Sequence, residues 1–387
     1  MEIFYYAHVD LSGESGSIGS VRHVVEVVNR LVERGHDLTV FVPAPEPESS
    51  ELKTDRVVYI PSYKGYLGFG MQILFCLWAM LVRALRTPPD VIYAREMLYT
   101  FHTALVARVL SVPHVTEING FQPEEVRTDP NFTAFLYPVL IFFEGINYWL
   151  SDRLIAVSDQ TRRKVIQFYG CSEDQIMTIR NGVNTDRCRP MDQQRCREAL
   201  GFAPDDLWVG FLGYLFPWSG VNYLIRAAPD ILEQIPETRF MVIGSGSWGD
   251  HLPELAEETG VRERFEFTGE IDWEDVPRYL NCLDVGVSPY TTERDTLDSL
   301  KTYEYMACGL PVVTADIPEV NRIVNRNDAG LVFEPENTRD LAQKLIGLLE
   351  NEKQRQKKGE NARKTVVEKY DWEVTVDKTE KLLQSLR

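Results

Sequence analysis

The chain of 387 residues has no D-x-D triplet, no H-E-x-x-H and no other metal-ligand spacing, so nothing in it calls for a bound metal. Its six cysteines (Cys76, Cys171, Cys188, Cys196, Cys282 and Cys308) show no C-x-x-C spacing. That disfavours zinc, and a chain this long needs no disulfide framework. Reduced thiols point to the cytoplasm. Positive charge is also scarce, with 41 Lys+Arg against 58 Asp+Glu and a formal net charge of −17. Residues 1–190 carry a net −4 and residues 191–387 a net −13. Nucleic acid is therefore not the expected partner, because neutralising phosphates takes clustered Lys and Arg. Low-complexity tracts and fixed-period repeats are missing too. The first residues, MEIFYYAHVDL, have no basic stretch ahead of their apolar run, and His8 and Asp10 cut that run short. They read as a first β-strand and not as a signal peptide. Segments 65–82 and 130–143 are strongly apolar but fall short of the roughly 20 residues of a membrane span. A buried core helix and a contact with a membrane surface both fit them.

What the chain does have is alternation. Short apolar runs rich in β-branched and aromatic residues recur from end to end: EIFYYAHV, DLTVFVP, RVVYIP, DVIYAR, PHVTEI, RLIAVS and IMTIR, then LWVGFLG, RFMVIGS, RFEFTG, VGVSPY, PVVTA and GLVFE. Most are apolar throughout, as parallel strands buried on both faces require. Helical patterns separate them, such as 20–34, stopped by Gly35, and 338–350, entered with Thr338 as N-cap. An α/β fold of doubly wound sheets follows. Thirteen strands exceed one open sheet, and the polar stretch 184–192, with Pro190, marks a boundary. Two Rossmann-like domains are expected, with ligands beyond the carboxyl ends of their strands and in the cleft between them.

Three segments carry chemistry. The loop LSGESGSIGS, with Gly13, Gly16 and Gly19 ahead of helix 20–34, offers close backbone approach and free N–H groups to an anion, or simply makes a turn. RFMVIGSGSWGD contains G-x-G-x-x-G at Gly244, Gly246 and Gly249, with Glu270 about 20 residues on, where a dinucleotide fold keeps its ribose acid. A dehydrogenase is thus an open alternative. However, this is the second βα unit of its domain, and the first has its own Gly213 and Gly220. In RDTLDSLKTYEYMACGLPVVT, a helix starts near Asp298 or Ser299, which places Lys301 in its first turn. A cation there opposes the helix dipole unless both face a phosphate. Glu304, one turn on, suits ribose hydroxyls; an ordinary surface Lys–Glu pair is the bland alternative.

Taken together, the glycine loop with NRLVERGHDLTVFVP, SDRLIAVSDQTR, RNGVN at 180–184, FMVIGSGS, FEFTGEI and KTYEYMACGLPVV resemble the retaining glycosyltransferases of family 4, and among these the subgroup acting on bacterial surface polysaccharides. The resemblance implies the GT-B fold, with an acceptor-binding domain at 1–187 and a nucleotide-sugar-binding domain at 188–372. After YDWE at 370–373, the helix 373–387 would cross back to the first domain. It implies a sugar moved with retention from a UDP- or GDP-type donor, which is a co-substrate, so no cofactor or metal is expected. The acceptor would be a lipid-linked or surface-polysaccharide precursor, and segments 65–82 and 130–150 would touch the inner face of a membrane. Lys301, Glu304, Asn119 and Glu117 are the expected catalytic residues. Gly16, Gly19, Gly213, Tyr214, Ser219, Gly244, Ser245, Gly246, Glu270, Ile271, Asp298, Ser299, Leu300 and Thr302 are the expected donor contacts. Four positions depart from the family. Thr296 stands where a second glutamate is common, leaving Asp295 or Asp298 to replace it. Tyr214 and Ser219 stand at the usual cations. Asn119 replaces a histidine, and Asn184 an aspartate. A non-catalytic partner subunit and a nucleotide-sugar epimerase are the competing readings.

Overall fold

The computed structural model describes residues 1–11, 18–47, 51–62, 65–95, 101–124, 136–294 and 298–387. The expected sites Gly13, Gly16, Asp295 and Thr296 lie outside the described residues. All thirteen apolar runs form strands, and they divide into sheets of seven and six. The chain splits into one unit of residues 1–181 with 372–387 and another of residues 182–371.

In the first unit, strands β1 (Glu2–Ala7), β2 (Asp37–Pro43), β3 (Val57–Ile60), β4 (Val91–Arg95), β5 (His114–Ile118), β6 (Arg153–Ala156) and β7 (Ile176–Thr178) alternate with helices α1 (Ile18–Glu33), α2 (Gly65–Ala84), α3 (Phe101–Leu110), α4 (Tyr137–Leu150) and α5 (Asp159–Tyr169). The sheet is parallel, in the order β3-β2-β1-β4-β5-β6-β7. Successive residues of β1 serve opposite faces. Ile3 and Tyr5 pack with Val24, Val28 and Val376, while Phe4 and Tyr6 pack with Cys76, Met80 and Val106. This two-sided burial is why the strands read as unbroken apolar runs.

The second unit has β8 (Leu207–Leu212), β9 (Thr238–Ile243), β10 (Phe265–Gly269), β11 (Val285–Ser288), β12 (Val312–Ala315) and β13 (Gly330–Phe333). Their order is β10-β9-β8-β11-β12-β13, again parallel. Its helices are α6 (Gln193–Leu200), α7 (Val221–Gln234), α8 (His251–Glu258), α9 (Val276–Leu280), α10 (Leu300–Ala307), α11 (Pro318–Asn325), α12 (Thr338–Leu349) and α13 (Glu352–Lys369). One expected cap shifts by a residue. Asn337, not Thr338, caps α12 by accepting from the Asp340 N–H, because an extended backbone at Asn337 aims its side chain at the free amides.

The last helix, α14 (Trp372–Gln384), packs on α1 of the first unit. Arg34 reaches Glu380 at 2.7 Å, Arg30 reaches Glu373 at 2.9 Å, and His36 reaches Glu380 at 2.9 Å. The units divide at Asn181/Gly182 and Asp371/Trp372, ahead of the polar stretch that marked the boundary in the sequence. The Thr185 hydroxyl donates to Asp371 at 2.5 Å, and Val183 bridges to Asp371, so 183–185 belong with the second unit. Among the described residues, no helix is long and apolar enough to cross a membrane.

Candidate functional site

Each sheet reverses strand order once, between β1 and β4 and between β8 and β11. In open α/β sheets such a switch point parts the following loops and leaves room for a ligand. In the second unit the loops after β8 and β11 flank this point, and the chemistry-bearing residues come from them.

Glycines allow the elements to close up here. Gly286 in β11 lies under the Tyr305 ring, where a Cβ would stand 2.6 Å from the ring. The Leu212 amide at the end of β8 donates to the Tyr305 hydroxyl at 2.6 Å. Tyr305 thereby fastens α10 across the switch point. Gly213, with φ +131°, then turns the backbone away, and a Cβ on it would lie 2.6 Å from Lys301 Nζ. Gly244 is pressed as closely against the Gly213 carbonyl, at 2.2 Å from a would-be Cβ. Gly244 needs glycine for space as well as for φ, whereas at Gly213, which faces the movable end of the Lys301 side chain, φ is the reason.

Lys301 is the second residue of α10. Its ammonium lies over the rings of Phe211 and Tyr290, 4.0 and 4.9 Å from their centroids. Among the described residues, no carboxylate is within ion-pair distance of it. Burial brings its pKa down to about 7, with Glu304 pulling the other way. Glu304 is buried, and burial pushes its carboxyl up to about 7 against the pull of Arg187 and Lys301. The bland surface-pair reading fails on both counts. A half-buried ammonium and a buried carboxyl lie in the first two turns of α10, and desolvation moves each toward its neutral form.

Around them, Ser299 and Thr302 form a buried hydroxyl cluster. Thr302 donates to Ser299 at 2.8 Å, Tyr290 meets Ser299 at 2.8 Å, and Ser288 meets Thr302 at 3.2 Å. Asp298 accepts from the Tyr303 hydroxyl at 2.6 Å. Leu300 and Ile271 pack on the core. The Ser245 hydroxyl donates to exposed Glu270 at 3.3 Å. Tyr214 is exposed and heads a stack of rings through Phe216, Trp218 and Tyr290, with centroids 5.5, 5.5 and 6.2 Å apart. Ser219 is fully buried, and its hydroxyl and amide both donate to the Phe216 carbonyl. Its donors are therefore committed inside the turn, unlike those of the expected phosphate contact. Gly246 is packed against Leu215, a would-be Cβ lying 2.5 Å from that carbonyl. The G-x-G-x-x-G loop follows β9 and not β8, so its glycines serve loop-to-loop packing away from a dinucleotide fingerprint's place.

In the first unit, Gly19 sits in the first turn of α1. Glu117 in β5 is buried, with Oε1 at 2.9 Å from His23 Nε2 and 3.7 Å from Arg95 Nε. Its Oε2 accepts a short hydrogen bond from Tyr93. Burial alone would raise its pKa, but His23, Arg95 and Tyr93 hold it down at about 2. A carboxylate so engaged is a weak proton acceptor, and its geometry suits orienting α1. His23 Nδ1 lies 2.8 Å from Asn181 Oδ1, and its ring meets Trp372 edge-on at 5.0 Å. Asn119 follows β5 and keeps a buried Nδ2 that has no hydrogen-bond partner among the described residues. The sequence reading missed Phe211, Tyr290, Arg187 and His23. None lies in a motif, and His23 is far from Glu117 along the chain.

Comparison with known proteins agrees with this architecture. The family model described as Glycosyltransferase Family 4 matches residues 18–187, and the one described as Glycosyl transferases group 1 matches residues 192–365. An uncharacterised glycosyltransferase of Methanocaldococcus jannaschii is 27% identical over 92% of this chain and 91% of its own. A glycogen synthase of Mycobacterium tuberculosis is 26% identical over 94% and 90%. The fold matches that of HepE of Anabaena, solved with UDP, with a TM-score of 0.79 at 19% identity over all of both chains. The switch-point site, the two parallel sheets and the paired family matches lead to one assignment: the chain belongs to glycosyltransferase family 4 and is a nucleotide-sugar-dependent glycosyltransferase of GT-B fold.

Proposed function

We propose that the second unit holds the diphosphate of a UDP- or GDP-linked sugar and that the sugar is transferred with retention of anomeric configuration. The observation that carries this reading is Lys301, an ammonium without a carboxylate partner among the described residues, beside Gly213 at the start of α10. As the bond from the anomeric carbon to the diphosphate oxygen breaks, negative charge grows on the phosphate. Lys301 and the first amides of α10 answer that charge. Glu304 accepts from ribose hydroxyls. The acceptor hydroxyl attacks from the face the diphosphate leaves, and its proton passes to a diphosphate oxygen. HepE, on the same fold, has been solved with UDP-glucose, which supports a donor of that class. In the first unit, Asn119 offers its amide to the acceptor, while Glu117 acts through His23 to hold α1 in place. The acceptor is a lipid-linked or surface-polysaccharide precursor, met at the inner face of a membrane.

Incubation with a panel of UDP- and GDP-sugars, with and without EDTA, tests the donor and the mechanism together. One donor class should be hydrolysed slowly, the released sugar should first appear with the donor's anomeric configuration by NMR, and EDTA should leave the rate unchanged. Inverted product, or activity lost in EDTA and restored by magnesium or manganese, would overturn the mechanism.

A further inference from the structure

The aromatic rings that follow β8 form a column that the transfer chemistry leaves unused. Beyond Gly213, which lies beside Lys301, the chain runs extended from Tyr214 to Phe216 and into a 3₁₀ turn at Pro217–Ser219. Leu215 is buried, its amide donating to the Ser245 carbonyl and its carbonyl accepting from the Trp248 amide, both at 2.9 Å. Neighbours in an extended backbone point opposite ways, so Tyr214 and Phe216 turn away from that core. Their rings lie 5.5 Å apart and 11° from parallel. Phe216 and Trp218 follow at 5.5 Å and 20°, then Trp218 and Tyr290 at 6.2 Å and 19°.

The column is braced at its inner end and open at its outer one. The Trp218 carbonyl accepts from the Thr291 amide at 3.1 Å, and the Tyr290 hydroxyl meets Ser299, just ahead of α10, at 2.8 Å. Lys301 lies over the Tyr290 ring. Tyr290 is buried, Phe216 and Trp218 are half-buried, and Tyr214 is 40% exposed. A single exposed ring is ordinary, but this one is held flat by three rings behind it and stands one residue from the phosphate cation's neighbour. Such a surface is ordered before any ligand arrives, which lowers the entropic cost of binding. Its chemistry says what fits. The face of an aromatic ring carries partial negative charge, and a pyranose presents apolar, slightly positive C–H bonds on its face. In a nucleotide sugar the sugar is joined directly to the diphosphate, whereas the base is one ribose further away.

We propose that Tyr214, backed by Phe216, Trp218 and Tyr290, is a stacking platform for a pyranose ring at the diphosphate site, either that of the transferred sugar or that of the sugar accepting it. The proposal rests on the reading of the second unit as a nucleotide-sugar site and adds the group that holds the sugar. Lys301 meets the phosphates by charge and Tyr214 meets the sugar by an apolar face, so the two contributions separate. Tyr214 contributes to the affinity for a sugar and not to that for a bare nucleoside diphosphate.

The test is calorimetric titration of wild type, Tyr214→Ala and Tyr214→Phe with UDP, GDP, UDP-glucose, UDP-galactose, UDP-N-acetylglucosamine and GDP-mannose. Saturation-transfer NMR of methyl glucoside, galactoside and mannoside, with UDP or GDP present, forms a second arm. Tyr214→Ala should bind the favoured nucleotide sugar about tenfold more weakly. It should keep wild-type affinity for UDP and GDP and the wild-type melting temperature without ligand, and Tyr214→Phe should behave as wild type throughout. That result assigns the platform to the transferred sugar; unchanged titrations with methyl glycoside binding lost in Tyr214→Ala alone assign it to the accepting sugar. Equal weakening of nucleotide sugar and nucleoside diphosphate would put the base on the ring, or show a merely structural role, and overturns the proposal. So does unchanged binding of every ligand by Tyr214→Ala. In both cases the nucleotide-sugar reading stands, since wild type still binds; it fails, and this proposal with it, only if wild type binds none of the six.

Discussion

Lys301→Ala should lower turnover about 10²–10³-fold, the usual cost of losing one group that meets transition-state charge, and should melt no lower than wild type. The two halves of this expectation have the same cause. Burial over Phe211 and Tyr290 holds the folded-state pKa near 7, below the ordinary lysine value of 10.5. Between those pH values the unfolded chain binds a proton that the folded chain does not, so stability rises with pH across that window. Below it the half-buried ammonium costs stability in full, and removing it there should raise the melting temperature. Steady-state kinetics beside ligand-free melting at pH 6 checks both. Near-normal turnover would place the phosphate cation elsewhere.

Glu304→Gln should weaken nucleoside diphosphate binding about 10- to 100-fold, as expected for a lost hydrogen bond to a charged group, about 1.5–3 kcal/mol. Its stability should move the other way. The Glu304 pKa is raised by burial from 4.5 to about 7, so between those values the folded chain holds the extra proton and stability falls as pH rises. The neutral amide escapes that penalty. The variant should therefore melt above wild type at pH 8, with the gain shrinking toward pH 4.5. Calorimetric titration with UDP and GDP, beside melting at the two pH values, decides it. Unchanged affinity would remove Glu304 from the ribose.

The elements were legible because burial on both faces leaves a direct trace. Ile3 and Tyr5 serve one layer and Phe4 and Tyr6 the other, so the strand is apolar at every position. Lys301 stands out in the sequence because a cation in a first helical turn contradicts the dipole, and the structure places it there. Partners brought in from other elements left no such trace. Phe211 and Tyr290 look like ordinary core residues, and nothing local marks His23 as the partner of Glu117 and Asn181. The inward turn of the Ser219 donors to Phe216 left no trace either. The unit boundary also depended on a distant partner, Asp371, which ties Thr185 to the second unit.

The central claim is that the switch point of the second unit binds a nucleoside diphosphate. Thermal melting with UDP, GDP and NAD, each in turn, tests it most directly. Bound ligand adds about 2.7 kcal/mol of stability at a hundredfold excess over its dissociation constant. The account predicts a clear upward shift with UDP or GDP, a smaller one in Lys301→Ala and Glu304→Gln, and none with NAD. A shift with NAD and none with either nucleoside diphosphate would contradict it.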